Sequence, residues 1–109
     1  MHTMRVVLAT SDTEQADWLA GVLSAAGFSV AVLMSPAPSS PELRGAELLI
    51  VDGESASALE GAGPERKMLI APREGTVDLA AVQGGYADVI AIPSPDDEVV
   101  ARVRHVLGS

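Results

Sequence analysis

Glu47-Leu48-Leu49-Ile50-Val51-Asp52 is the stretch of this chain that decides its fold. Leu48 to Val51 are apolar without alternation, so the strand they form is buried on both faces, the habit of a parallel sheet covered on two sides. Asp52 then falls at the carboxyl edge of that sheet, where open α/β folds place their sites. A lone acid there is either the remnant of a chemical site or a turn-forming residue, and its neighbours must decide which.

Four more apolar runs flank this one: Val6-Val7-Leu8-Ala9, Val30-Ala31-Val32-Leu33-Met34, Met68-Leu69-Ile70-Ala71 and Val89-Ile90-Ala91-Ile92. They recur about every twenty residues, which leaves room for one crossover helix between successive strands. The pattern predicts an α/β fold with a doubly wound, five-stranded parallel sheet.

The helices are unequal. Ser11-Asp12-Thr13-Glu14 reads as a capping box, followed by an apolar stripe of Leu19, Val22, Leu23 and Ala26 and a stop at Gly27. The last helix has Ser94 as its cap, Pro95 in the first turn and Asp96 and Asp97 at the positive end of the dipole. Its Arg102 and Arg104 stand toward the negative end, and Val99, Val103, Val106 and Leu107 form its buried face. A fourth helix is predicted over Val77 to Gln83, ending at Gly84-Gly85. The prolines of Ser35-Pro36-Ala37-Pro38-Ser39-Ser40-Pro41 allow at most one helical turn near Pro41 to Arg44, and Gly61-Ala62-Gly63-Pro64 cuts the third helix short. Shortened second and third helices are therefore expected.

At 109 residues, 48% hydrophobic and 20% charged, the chain is expected to be one domain spanning 1–109. Gly108-Ser109 reads either as a native helix end or as a cloning remnant, and in the second case the domain belongs to a longer chain. A net charge of −8, from 15 acids against 7 bases, repels phosphate backbones and anionic lipid, so proteins are the expected partners rather than nucleic acid or membrane. The absence of cysteine excludes disulfides, thiolate zinc sites and cysteine nucleophiles, and is compatible with a reducing cytoplasm. No apolar run approaches the roughly 18 residues a membrane span needs.

In its order of elements the chain resembles the receiver domain of bacterial response regulators from end to end. The strand, helix and Gly27-Phe28 resemble the family's first helix and its ending before strand two. Glu47 to Asp52 resembles the strand that ends in the phosphoacceptor aspartate. Ala71-Pro72-Arg73-Glu74 through Gly84-Gly85-Tyr86-Ala87-Asp88 is similar to the fourth strand and helix, and Ile92-Pro93-Ser94-Pro95-Asp96-Asp97-Glu98 to the stretch leading into the fifth helix. The resemblance implies the flavodoxin-like receiver fold, strand order 2-1-3-4-5, with the site at the carboxyl ends of strands one and three.

It also implies what is missing. The acidic pair that holds Mg²⁺ in receivers falls on Thr10 and Ser11; the phosphoryl-contacting lysine falls on Ile92, the strand-four hydroxyl residue on Ala71 and the aromatic switch residue on Val89. Phosphoryl transfer depends on positioning and on charge stabilisation by metal and cation, so little of the chemistry is expected to survive. Asp12 lies one position beyond the pair and has a simpler role in capping the first helix. Glu54 falls where receivers offer a backbone carbonyl to the metal, but Gly53-Glu54-Ser55 reads equally as an ordinary loop into a helix.

Competing chemistries find little support. His2 and His105 are far apart in sequence and read as solvated side chains rather than metal ligands, no serine stands in a nucleophile elbow, and Ala9-Thr10-Ser11-Asp12 replaces the glycines a nucleotide site requires. Residues 35–41 read as a connector, and Trp18 as mostly core. The expectation is a pseudo-receiver: a protein-interaction or signalling module in a bacterial regulatory system, independent of phosphorylation, cytoplasmic, without catalytic residues and without a cofactor. Its partner surface, as in receivers, would be helix four, strand five and helix five, including Asp78, Gln83, Tyr86, Asp97, Arg102 and Arg104, where a homodimer would also form. Two alternatives remain. One is a working receiver phosphorylated on Asp52, which alone would call for Mg²⁺; the other is a small-molecule sensor using the vacated pocket between Thr10, Asp52 and Ala71.

Overall fold

A computed structural model describes residues 3–10, 12–33, 39–52, 55, 59, 63–64, 66–72, 88–92 and 95–108, with the side chains of 71, 72, 91 and 92 left aside. In chain order these form β1 (Arg5–Ala9), α1 (Thr13–Ala25), β2 (Ser29–Leu33), a 3₁₀ turn (Pro41–Leu43), β3 (Leu48–Val51), β4 (Lys67–Pro72), β5 (Asp88–Ile92) and α2 (Asp96–Gly108). All strand pairs are parallel and the order is β2-β1-β3-β4-β5. Each predicted strand is present, β3 with the predicted bounds and the others with ends that move by at most one residue; Met34 lies outside the described residues.

The unbroken apolar runs fill two cores because successive strand side chains point to opposite faces. Val6 and Leu8, Leu48 and Ile50, Met68 and Ile70, and Ile90 pack with Leu19 and Leu23 of α1 and with Val99, Val103, Val106 and Leu107 of α2. Their neighbours Val7 and Ala9, Leu49 and Val51, and Leu69 face the other way, onto Leu33, Leu43 and Leu59. Each fully buried Leu, Ile or Val contributes roughly 1.5–3 kcal/mol. The two described helices, α1 and α2, cover the first face, while Leu33, Leu43 and Leu59 cover part of the second. The buried face predicted for α2 is the one observed; in α1, Leu19 and Leu23 are buried, while Val22 and Ala26 are only partly so.

Helix α1 starts one residue later than the Ser11-Asp12-Thr13-Glu14 capping box predicted, with Asp12 in the capping role expected of it, and α2 also starts one residue later. The cap of α1 is Asp12, whose side chain accepts from the Gln15 N–H at 3.2 Å. Ser11 lies outside the described residues. In α2 the Pro95 carbonyl accepts from Glu98 and Val99 N–H, so Pro95 holds the cap position rather than the first turn, and Ser94 lies outside the described residues.

The end of α1 agrees with the prediction. Phe28 N–H bonds the Leu23 carbonyl and Gly27 N–H that of Ser24, the paired bonds of a Schellman motif, with Gly27 at φ 99°. A Cβ on Gly27 would meet nothing within 4 Å, so the cost of adding one is conformational alone. Gly27→Ala is therefore expected to destabilise the fold by about 1 kcal/mol, as read by urea unfolding.

The predicted second helix is the single 3₁₀ turn Pro41–Leu43. Of the third, Ser55 is helical and its carbonyl accepts from Leu59 N–H. The helix predicted over Val77 to Gln83 lies outside the described residues.

Candidate functional site

The register Ala9↔Val51 places the residues that follow, Thr10 and Asp52, side by side at the carboxyl edge of two central strands, joined by a bond from Asp52 N–H to the Ala9 carbonyl. Thr10 is fully buried and Asp52 half-buried. Thr10 Oγ1 stands 2.8 Å from Asp52 Oδ2 and 3.0 Å from Oε1 of Gln15, and it accepts from the Asp12 N–H at 3.1 Å. One hydroxyl proton serves one acceptor. The carboxylate is nearer and charged, so it takes the proton, and the contact with Gln15 is satisfied with the amide turned so that Nε2 donates. The Thr10 oxygen is then saturated, donating once and accepting twice.

The other Asp52 oxygen is also engaged: Oδ1 accepts from Ser55 N–H at 2.7 Å. That is the bond of a helix cap to the third residue onward, so Asp52 holds the turn that opens the third crossover. Ser55 is itself buried. Asp52 thus ties together the ends of β1 and β3 and the turn after β3. Both readings of a lone acid at a strand end meet in one residue: it stands at the phosphoacceptor position and it forms a turn.

The arrangement does not suit a divalent cation. The position beside Asp52 holds a neutral hydroxyl whose proton points at the carboxylate, where a cation would need an oxygen lone pair. Among the described residues, no group of three or more His, Asp or Glu side chains could hold a metal ion. Asp12, two positions after Thr10, is committed to capping α1. Thr10 and Asp52 are in direct hydrogen-bonding contact, which leaves no space for a ligand between them.

The other predicted site residues are placed as follows. Val89 is half-buried against the second core, with its N–H bonded to Asp88 Oδ1. Ala71 and Ile92 are at the ends of β4 and β5, paired respectively with Ala91 and Pro72. Glu54, Asp78, Gln83 and Tyr86 lie outside the described residues. The predicted partner surface divides in two. Arg102 faces β5, with Nη1 3.2 Å from both Asp88 oxygens and Nη2 3.5 Å from Glu98. Asp97 and Arg104 instead line a groove between α1 and α2, where Arg104 donates to the Ala26 carbonyl at 3.4 Å. Positions on a helix turn by about 100° per residue, so Asp97 and Arg104 share a stripe that Arg102 does not.

Gln15 and Asp88 were not singled out from sequence. The spacing Asp12-x-x-Gln15, an acid three before an amide at the start of an apolar stripe, was the signal for the first. Nothing local marks Asp88 as the acceptor for a residue fourteen positions later.

A five-stranded parallel sheet in this order is the flavodoxin-like, doubly wound fold that receivers adopt. Solved structures agree along the whole chain. A Thermotoga maritima response regulator matches at a TM-score of 0.75 and 19% identity, over 99% of this chain and 100% of that one. A response regulator receiver protein from Burkholderia phymatum matches at 0.78 and 19%, over 97% and 96%. A Burkholderia thailandensis protein assigned to pilus assembly matches at 0.77 and 18%, over 98% and 100%. By sequence alone, no family model and no curated protein matches. What the chain shares with these proteins is the receiver fold. Among the described residues no helix is long and apolar enough to cross a membrane.

Proposed function

We propose that this chain is a pseudo-receiver, a cytoplasmic protein-interaction module of a bacterial regulatory system that works without phosphorylation and without catalysis of its own. The observation that carries the proposal is the 2.8 Å bond from Thr10 to Asp52. Where a phosphorylatable receiver needs a metal-binding acid, this chain has a hydroxyl that donates to the aspartate and draws on both α1 and the following backbone to hold it. A phosphoryl group on Asp52 would have to break this network and would gain neither a metal nor, with isoleucine at position 92, a cation in return. Both Asp52 oxygens have structural partners, which gives the residue a reason to be present in a protein that does not use it chemically.

Incubation of the isotope-labelled protein with Mg²⁺ and beryllofluoride or acetyl phosphate tests the reading. No modification of Asp52 and no displacement of the Thr10, Asp52 or Ser55 amide resonances is expected; Asp52-dependent changes would overturn it. Asp52→Asn, which keeps an oxygen for the Ser55 N–H, is expected to leave partner binding within about twofold of wild type.

A further inference from the structure

We infer that the groove between α1 and α2 is the docking site for a basic amphipathic helix of a protein partner. The inference rests on the protein-interaction reading above and supplies the chemistry of the partner. The groove has a volume of about 370 Å³, and its floor is carbon: Val22 and Ala25 from α1, Val100 and Ala101 from α2. The two valines are half-buried and the two alanines exposed, so the described residues leave this seam uncovered. Trp18, one turn before Val22 on the same stripe of α1, is half-buried as well. A seam between two packed helices accepts a third helix by ridge-into-groove packing, and alanines on both walls let its backbone approach closely.

Charge selects the occupant. Exposed Asp96 and Asp97, at the start of α2, line one end of the groove. Residues 12–26, which make up α1 and its two caps, contain no lysine or arginine. Arg104, the one base in the lining, stands toward the far end and is directed to the Ala26 carbonyl. An occupant must therefore offer an apolar stripe to the floor and positive charge to the acidic end. A second copy of this chain, at −8, meets like charge at that end, as does nucleic acid. The opposite side of α2 makes no such demand, because Arg102 already pairs with Asp88 and Glu98.

The test uses the full chain, isotope-labelled, and a synthetic helix of about 18 residues with leucines at i, i+3, i+4 and i+7 spacing and lysines elsewhere, beside a control carrying glutamates for the lysines. Saturable shifts are expected at Val22, Ala25, Val100 and Ala101 with the lysine peptide and none with the glutamate peptide. The double charge reversal Asp96→Lys with Asp97→Lys is expected to weaken binding about tenfold. Ala101→Trp, which fills the exposed seam without entering the core, is expected to abolish it. The amide spectrum of each variant verifies its fold. Absence of saturable binding both with and without beryllofluoride, shifts confined to the Arg102 side of α2, or wild-type affinity in Ala101→Trp would overturn the proposal. Repeating the titration with Mg²⁺ and beryllofluoride separates the two ideas. Groove shifts that appear only with beryllofluoride keep the docking site and overturn phosphorylation independence; groove shifts absent in both conditions overturn the docking site alone.

Discussion

Thr10→Val is expected to lower the stability of the fold by about 2 kcal/mol, although valine has nearly the shape of threonine. The substitution removes the donor to Asp52 Oδ2 and the acceptor of the Asp12 N–H together, at a side chain with no solvent exposure. A hydrogen bond to a charged group contributes about 1.5–3 kcal/mol net, and the half-exposure of Asp52 places the loss inside that range rather than above it, since water partly replaces the hydroxyl. For a domain of this size the change corresponds to a fall of about 10 °C in Tm. Thr10→Ser retains the hydroxyl and is expected to cost less than about 1 kcal/mol, the value of one methyl group. Urea and thermal unfolding of the two variants measure the difference. A valine variant as stable as wild type would mean that the network around Asp52 contributes nothing net, and the structural reason offered for keeping the aspartate would fail.

Sheet and site were not equally legible in the sequence. Five strands could be placed from the apolar runs because burial on both faces leaves no polar residue to blur them, and their order followed from the resemblance. Capping was harder: Ser11 and Asp12 are both good cap residues, one position apart, and only the geometry of Gln15 N–H decides between them. The bond from Thr10 to Asp52 spans 42 positions, so no local pattern contains it. Sequence reading identified Thr10 by what it lacks, a carboxylate, and missed what it does, which is to donate to the aspartate left behind. The partner surface is a different case. Transferring a surface from receivers treated Asp97, Arg102 and Arg104 as one patch, whereas their spacing along α2 already placed Arg102 on a different stripe.

Thr10→Asp is expected to reverse the sign of the interaction with Asp52 and make the stability of the protein depend on divalent cation. Two carboxylates about 4 Å apart repel by about 4 kcal/mol at an effective dielectric of 20, and the variant also loses the hydroxyl donor. In chelator it should therefore be the least stable of the variants considered. With Mg²⁺ present the two acids have a common ligand, and the folded state gains about 1.4 kcal/mol for each tenfold excess of the ion over its dissociation constant. Wild type, with a hydroxyl proton directed at the carboxylate, is expected to show no Mg²⁺-dependent shift in Tm. The comparison isolates one residue among the several in which this chain departs from receivers. A Mg²⁺ response in wild type would contradict the loss of the cation site. A response absent from Thr10→Asp but present once Ser11→Asp is added would assign the loss to both positions of the former pair, because a cation that keeps most of its water needs more than one added carboxylate to hold it.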